Sequence, residues 1–197
     1  MNQHQGPTPT DRQLVALVKG GDSRAFTRIV ATTEGLVAQI VFRLIPHEED
    51  RKDVAQEIYI KVYRNLDGFR FQSKLSTWVA RIAYNTCITR LEKKNLPLAP
   101  KPMEDPEEGG SGKAFHSAEA SDRNLLRREL RDLIASELEK LPPIYATLIG
   151  LFHQQELSLR EVAEITDLPE GTIKNYLHRA RKQLKETALS QYKNETL

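Results

Sequence analysis

The segment LSLREVAEITDLPEGTIK, residues 157–174, decides how the second half of this chain folds. Ser158 and Glu161 have the spacing of a capping box, in which each side chain satisfies a free amide at the start of a helix. Ala163 is small enough to let another helix cross closely. Residues 167–169 then predict a tight turn, after which a new helix begins. The segment therefore predicts two helices joined by a short turn.

The second of these helices has the charge distribution of a helix that reads DNA. Residues 171–185 contain five lysines or arginines and no acid. A basic amphipathic helix on its own is as often a solvated surface helix, but here the cap, the small residue, the turn and the acid-free helix occur together. The pattern predicts a helix-turn-helix whose second helix enters the major groove. Its expected inward residues follow spacings of four, three and four, and they are Ile173, Leu177, Ala180 and Leu184.

The outward side chains of this helix form the candidate site for duplex DNA. We expect Lys174, Asn175 and His178 to reach base edges, because the N-terminal part of such a helix usually lies deepest in the groove. Cations further along the helix suit phosphate oxygens, which fix register without reading sequence. The complete predicted set is Thr172, Lys174, Asn175, His178, Arg179, Arg181 and Lys182.

Upstream of this segment, residues 96–121 interrupt the helical pattern. They contain four prolines, a Gly-Gly-Ser-Gly run, and five acidic residues against two basic ones. This composition predicts a flexible linker. It divides the chain into two expected domains, residues 10–95 and residues 122–190. Apolar residues recur at helical spacing in both, and neither contains an alternation long enough for a strand. We therefore predict an all-α fold of two small helical domains joined by a flexible linker, the second containing the helix-turn-helix.

A second basic segment lies in the first domain. Residues 70–94 contain six lysines or arginines and a single acid, interleaved with aromatic and hydrogen-bonding residues. Such a mixture suits an unpaired strand, because cations follow the phosphates while rings or pockets take the bases. The alternative is a solvated basic face over a packed core, and for Trp78 itself we expect packing.

The helix before this segment presents a polar face. Asp53, Gln56 and Glu57 are spaced so that they share one side of the helix, opposite Val54 and Ile58. Spacing alone favours a solvent-exposed face here. Paired carboxylates are also found in acid–base and metal sites, but no accompanying histidine supports either.

Composition excludes several classes of function. The 197 residues carry 29 Lys and Arg against 27 Asp and Glu, so DNA binding must depend on where the charges lie. No apolar run of about 18 residues predicts a membrane-spanning helix, and the N-terminal residues lack the apolar core of a secretory signal. Cys87 is a single cysteine and has no internal disulfide partner. We expect a cytoplasmic protein without cofactor, metal or catalytic residues, and no phosphate-binding loop motif is present.

Taken in order, four motifs resemble those of bacterial RNA polymerase sigma factors of the extracytoplasmic-function (ECF) group, in the sigma-70 family. Residues 11–26 resemble the start of that family, and residues 53–63 its polymerase-binding helix. Residues 76–85 are similar to its promoter-melting segment, and residues 171–182 to its second DNA-reading helix. The chain departs from the family pattern at Arg51, Lys52, Tyr59 and Tyr176.

This resemblance implies a role for each site. The trio Asp53, Gln56 and Glu57 would contact the clamp helices of the large subunit of core RNA polymerase. Residues 10–95 would form a region 2-like domain and residues 122–190 a region 4-like domain that reads the −35 duplex. The melted −10 strand would lie on residues 69–94, with contacts from Phe71, Lys74, Arg81, Asn85, Thr89, Arg90 and Lys93. The family also allows for an anti-sigma factor as a further partner.

Three other functions remain as alternatives. A helix-turn-helix repressor or activator would bind duplex tightly without polymerase, usually as a symmetric dimer. A small helical enzyme would need a nucleophile–base pair or a metal-ligand set, and the histidines of this chain stand isolated. A scaffold protein would leave the two acid-poor faces unexplained.

Overall fold

The computed structural model describes residues 10–94, the first lobe, and residues 135–194, the second lobe. Every regular element within these ranges is helical, so the all-α prediction is confirmed. The predicted linker lies outside the described residues. The helices are α1 (Asp11–Lys19), α2 (Ser23–Leu44), α3 (Glu48–Asn65), α4 (Leu75–Lys93), α5 (Pro143–Ile149), α6 (Leu159–Thr166) and α7 (Glu170–Asn194). Residues 135–140 are also helical, a 3-10 turn covers Leu66–Gly68, and a π-helical turn covers Gly150–Gln154.

The first lobe is built around α2, which contacts α1, α3 and α4. Its start is fixed by Asp22, whose carboxylate accepts hydrogen bonds from the N–H groups of Arg24 at 2.8 Å and Ala25 at 3.4 Å. Such a cap satisfies amides that have no partner within the helix. The buried face of α2 repeats at helical spacing and consists of Ala25, Ile29, Thr33, Leu36, Val37, Ile40, Val41 and Leu44. This face holds α3 and α4 side by side.

By length and composition alone, α2 is long and apolar enough to cross a membrane. Core helices of globular proteins pass the same test. Here the apolar stripe of α2 is packed against the other helices of the lobe.

The second lobe contains the two helices and the turn that the sequence predicted. The capping box is present: the Glu161 N–H donates to Ser158 Oγ at 3.2 Å, and the Ser158 N–H donates to Glu161 Oε2 at 2.9 Å. At the end of α6, Asp167 adopts a left-handed conformation with φ of 57°. This reversal directs the chain into α7, where the inward Ile173 and Leu177 are buried.

The two lobes pack against each other chiefly through α2 with α5 and α4 with α6. Gln39 Nε2 donates to Gln154 Oε1 at 2.5 Å. Gly150 lies so close to the Gln39 side chain that a Cβ at this position would clash with it. Tyr84 of α4 is also buried, and burial, together with the nearby Tyr176 of α7, raises its pKa to about 12. The lobes are therefore coupled by helix packing and by a polar side-chain contact.

Candidate functional site

The structure brings the polar trio of α3 onto one face of that helix. Asp53 and Gln56 are exposed, and Glu57 is partly exposed. The Glu57 carboxylate pairs with Lys61 at 2.7 Å and lies 3.9 Å from Arg90 of α4. The opposite face, formed by Val54, Ile58 and Val62, is fully buried, so the trio lies on the side of the helix that faces away from the core.

Two exposed apolar residues next to this trio were missed by the sequence analysis. Ile60 is 51% exposed and Tyr63 is 55% exposed. Ile60 lies one helical turn after Gln56 and Glu57, and Tyr63 one turn further on. The Tyr63 ring meets Phe26 edge to face, with ring centroids 5.1 Å apart. Their spacing relative to the trio was the available signal, and together these residues make the α3 face partly apolar.

The segment before α4 forms an aromatic loop, residues 69–74. Phe69 is buried and stacks against Phe71 and Trp78, with centroid distances of 4.7 and 5.1 Å. Trp78 is partly buried in this stack, in agreement with the expected packing role. The loop and the start of α4 line a cleft of about 460 Å³, to which α6 of the second lobe contributes Arg160 and Glu164.

The exposed face of α4 continues from this cleft. Arg81, Asn85 and Thr89 are exposed and follow one another at intervals of four residues, so they form a row along the helix. Lys93 is exposed one turn further on. The structure thus brings together four of the seven residues predicted for the −10 strand.

The remaining cations of this set are held by acidic side chains. Arg90 pairs with Asp50 of α3 at 2.9 Å, and the pKa of that carboxyl is lowered by hydrogen bonds from Lys94 and then from Arg90. Lys74 pairs with Glu161 of α6 at 2.8 Å. These contacts make Arg90 a bridge between α3 and α4, a role that the sequence analysis did not assign to it.

Two ion pairs therefore connect the cleft to the second lobe. Besides the Lys74–Glu161 pair, Arg81 Nη2 contacts both carboxylate oxygens of Asp167, at 2.7 and 2.9 Å. The hydrogen bond from Lys74, followed by those from Ser158, lowers the pKa of Glu161 to about 2. Carboxylates therefore neutralise two of the cations predicted to contact the −10 strand.

The candidate duplex-reading face of α7 is open. Lys174, Asn175, His178 and Lys182 are exposed, whereas Thr172 and Arg179 are half-buried. Several polar side chains on the first turns of this helix are therefore open to solvent.

Two residues of α7 have additional partners. Arg181 is exposed and lies 3.0 Å from His153 Nε2, and burial, together with the Arg181 charge, lowers the pKa of that histidine. Tyr176 is half-buried and stacks on Tyr145 at a centroid distance of 5.2 Å. Tyr176, where the chain departs from the family pattern, is therefore a packing residue of the second lobe.

The described residues contain no group of three or more His, Cys, Asp or Glu side chains placed to hold a metal ion. Burial raises the pKa of the Cys87 thiol to about 12, with a further contribution from Glu57. The groups that the structure does bring together are cations, hydrogen-bonding side chains and aromatic rings, which bind nucleic acid by charge and stacking.

Comparison with known proteins agrees with this arrangement. The family model for sigma-70 region 2 matches residues 29–96, and that for sigma-70 region 4 matches residues 131–184. The ECF RNA polymerase sigma factor SigW of Bacillus subtilis is 35% identical over 181 residues, covering 89% of this chain and 95% of the relative. The chain belongs to the ECF group of RNA polymerase sigma factors. The ECF sigma-E factor of Escherichia coli K12 is 36% identical over 177 residues, covering 89% and 92% of the two chains.

A solved structure shares the fold of this ECF sigma factor. The structure of CnrH in complex with the cytosolic domain of CnrY aligns with a TM-score of 0.62 at 24% identity, covering 92% of this chain and 99% of that chain. In this sigma factor, α3 and α4 belong to the region 2 match, and α6 and α7 up to residue 184 belong to the region 4 match. Like its relatives, it is a sigma factor for promoter-directed transcription initiation.

Proposed function

We propose that this sigma factor binds core RNA polymerase through the α3 face and directs initiation by binding two promoter elements. Helix α7 reads the −35 element as duplex, while the aromatic loop and α4 capture the melted −10 strand. The observation that carries this proposal is the presence of two separate cation-bearing faces, one on a helix-turn-helix and one beside an aromatic cleft. The protein acts in the cytoplasm, on the polymerase.

Neither face needs to bind tightly by itself. Two linked sites on one DNA gain affinity because binding at the first makes binding at the second intramolecular. Capture of an unpaired strand also shifts the pairing equilibrium through binding energy alone. Promoter opening by this route requires no nucleotide hydrolysis by the sigma factor.

Run-off transcription tests the proposal directly. Core polymerase with this protein, on a library of promoter fragments, is expected to give discrete transcripts that core polymerase alone does not give. Tight duplex binding without polymerase association and without transcripts would instead support an independent repressor or activator, which is the main alternative.

The two ion pairs between the lobes lead to a second expected result. Lys74 and Arg81 must leave Glu161 and Asp167 before they can meet phosphates, so the cleft admits a strand only when α6 moves away. The double variant Glu161→Gln, Asp167→Asn is expected to bind single-stranded DNA about 5-fold more tightly as a free protein, because exposed ion pairs are worth about 1 kcal/mol or less each. Fluorescence anisotropy with a labelled single strand measures the change.

Both substitutions preserve the local structure. Glutamine still serves at the third position of a capping box, and asparagine tolerates the left-handed conformation at residue 167. The double variant Glu48→Gln, Glu49→Gln makes the same change in net charge on α3 and serves as the control. Equal gains in the two double variants would show that net charge, and not release of the cleft, produces the effect.

A further inference from the structure

We infer that α1 holds the aromatic loop in the conformation that binds DNA, and that Asp11, Arg12 and Lys19 are positioning residues for capture of the −10 strand. The inference rests on the proposed function of that loop and gives α1 a role in it. The helix precedes the region 2 match, and its residues were not among the predicted DNA contacts.

Three residues of α1 contact the loop and its two ends, and α1 runs antiparallel to the loop. Lys19 Nζ, at the end of α1, donates to the Asp67 carbonyl at 3.2 Å, just before the loop. The Arg12 guanidinium lies 4.9 Å from the centroid of the Phe71 ring, in the middle of the loop. Asp11 then accepts from the Leu75 N–H, just after the loop. The first helix therefore follows the loop from beginning to end.

Asp11 supplies a cap that α4 lacks. The residue at the N-cap position of α4 is Lys74, which makes no side-chain cap hydrogen bond. The first amides of a helix have no partner within the helix. Asp11 Oδ2 accepts from the first of them, the Leu75 N–H, at 2.9 Å. A carboxylate at this end is also favoured by the helix dipole. The start of α4 is thus determined by a side chain 64 residues earlier in the sequence.

Arg12 holds the loop in an unusual conformation. Phe71 has φ of 57°, in the left-handed region that bulky residues rarely adopt. Its ring is therefore kept in place by what surrounds it, with Phe69 on one side and the Arg12 guanidinium at cation–π distance. Without Arg12, we expect the loop to relax towards other conformations.

A preformed loop strengthens strand binding because less ordering remains to be done when the strand arrives. If only a fraction of molecules has the competent loop, the apparent affinity falls by that fraction. Loss of the contacts between α1 and the aromatic loop is therefore expected to weaken −10 strand capture, while affinity for core polymerase and for −35 duplex stays unchanged.

The test uses the full chain with core polymerase and a randomised pool of fluorescent single-stranded DNA. We expect Asp11→Ala and Arg12→Ala each to weaken strand binding about 5-fold, the size of effect typical for a lost cap or an exposed cation–π contact. Arg28→Ala, which removes an exposed arginine from α2, controls for the loss of positive charge in Arg12→Ala. Unchanged strand binding in Asp11→Ala and Arg12→Ala would overturn the inference.

A double-mutant cycle separates positioning from direct contact. Arg12→Ala is expected to have no further effect once Phe71 is alanine, because Arg12 acts through that ring. Additive effects would mean that Arg12 contacts DNA itself, and would overturn the positioning role. In the free chain, hydrogen exchange at the Leu75 amide is expected to become faster in Asp11→Ala, and unchanged exchange would also overturn the inference.

The same experiment distinguishes failure of the inference from failure of the proposed function. Arg81→Ala and Asn85→Ala alter residues that we propose touch the strand. If these two variants weaken strand binding and the α1 variants do not, only the positioning role of α1 is wrong. If none of them changes strand binding, the assignment of the −10 strand to this face is wrong, and the inference is overturned with it.

Discussion

Replacing Asp53, Gln56 and Glu57 together with alanine is expected to weaken binding to core RNA polymerase about 100-fold, a loss typical of removing an interface hot spot. All three side chains lie on one face of α3, at least partly exposed, beside the exposed Ile60. The buried side of the helix is untouched, and alanine favours helix, so the fold is expected to remain intact.

Competition for core polymerase against a labelled wild-type protein measures this loss, and circular dichroism checks the helix content. A suitable control is Glu48→Ala, which alters an exposed residue of the same helix two turns before Gln56. If the control loses as much affinity as the triple variant, the α3 face is not a specific polymerase site. If the triple variant binds normally, the proposed contact is wrong.

The double variant Lys174→Ala, Asn175→Ala is expected to lose about 100-fold in affinity for −35 duplex, because each good base contact contributes about 1–3 kcal/mol of discrimination. Both side chains are exposed on the first turns of α7, in front of the buried Ile173 and Leu177. Holoenzyme binding to a promoter fragment, with the −35 sequence varied, measures the loss. Affinity for core polymerase should not change.

A comparison of two variants tests whether the start of α7 contacts bases while its later cations contact phosphates. Arg181→Ala, Lys182→Ala removes cations that we assign to phosphates, so it should weaken binding to all sequences alike and make the salt dependence shallower. The Lys174, Asn175 variant should instead relax the choice of base. Indistinguishable behaviour of the two variants would contradict a recognition role for the start of α7.

Local features of this protein were predictable because they depend on residues three or four apart. The Ser158–Glu161 capping box and the shared face of Asp53 and Glu57 follow from helix geometry. The structure contains both.

Contacts between distant residues were not predictable in the same way. The pair Arg81–Asp167 joins positions 86 residues apart, and Asp11 meets Leu75 across 64 residues. No sequence period marks such contacts, because they depend on how whole helices pack. For the same reason, the pairing of Arg90 with Asp50 could not be predicted from the sequence, and the contact of Arg90 with DNA stays a prediction.

The carboxylates of Glu161 and Asp167 also affect how the salt dependence of DNA binding by this protein should be interpreted. In the proposed complex, Lys74 and Arg81 meet the −10 strand already neutralised by Glu161 and Asp167, so binding there would be an exchange of one anionic partner for another. Fewer small ions are then displaced per phosphate than when both cations start in open solvent. A count of protein–phosphate contacts taken from the slope of affinity against ionic strength would consequently be too low for the −10 face, while the α7 face would give a truer number.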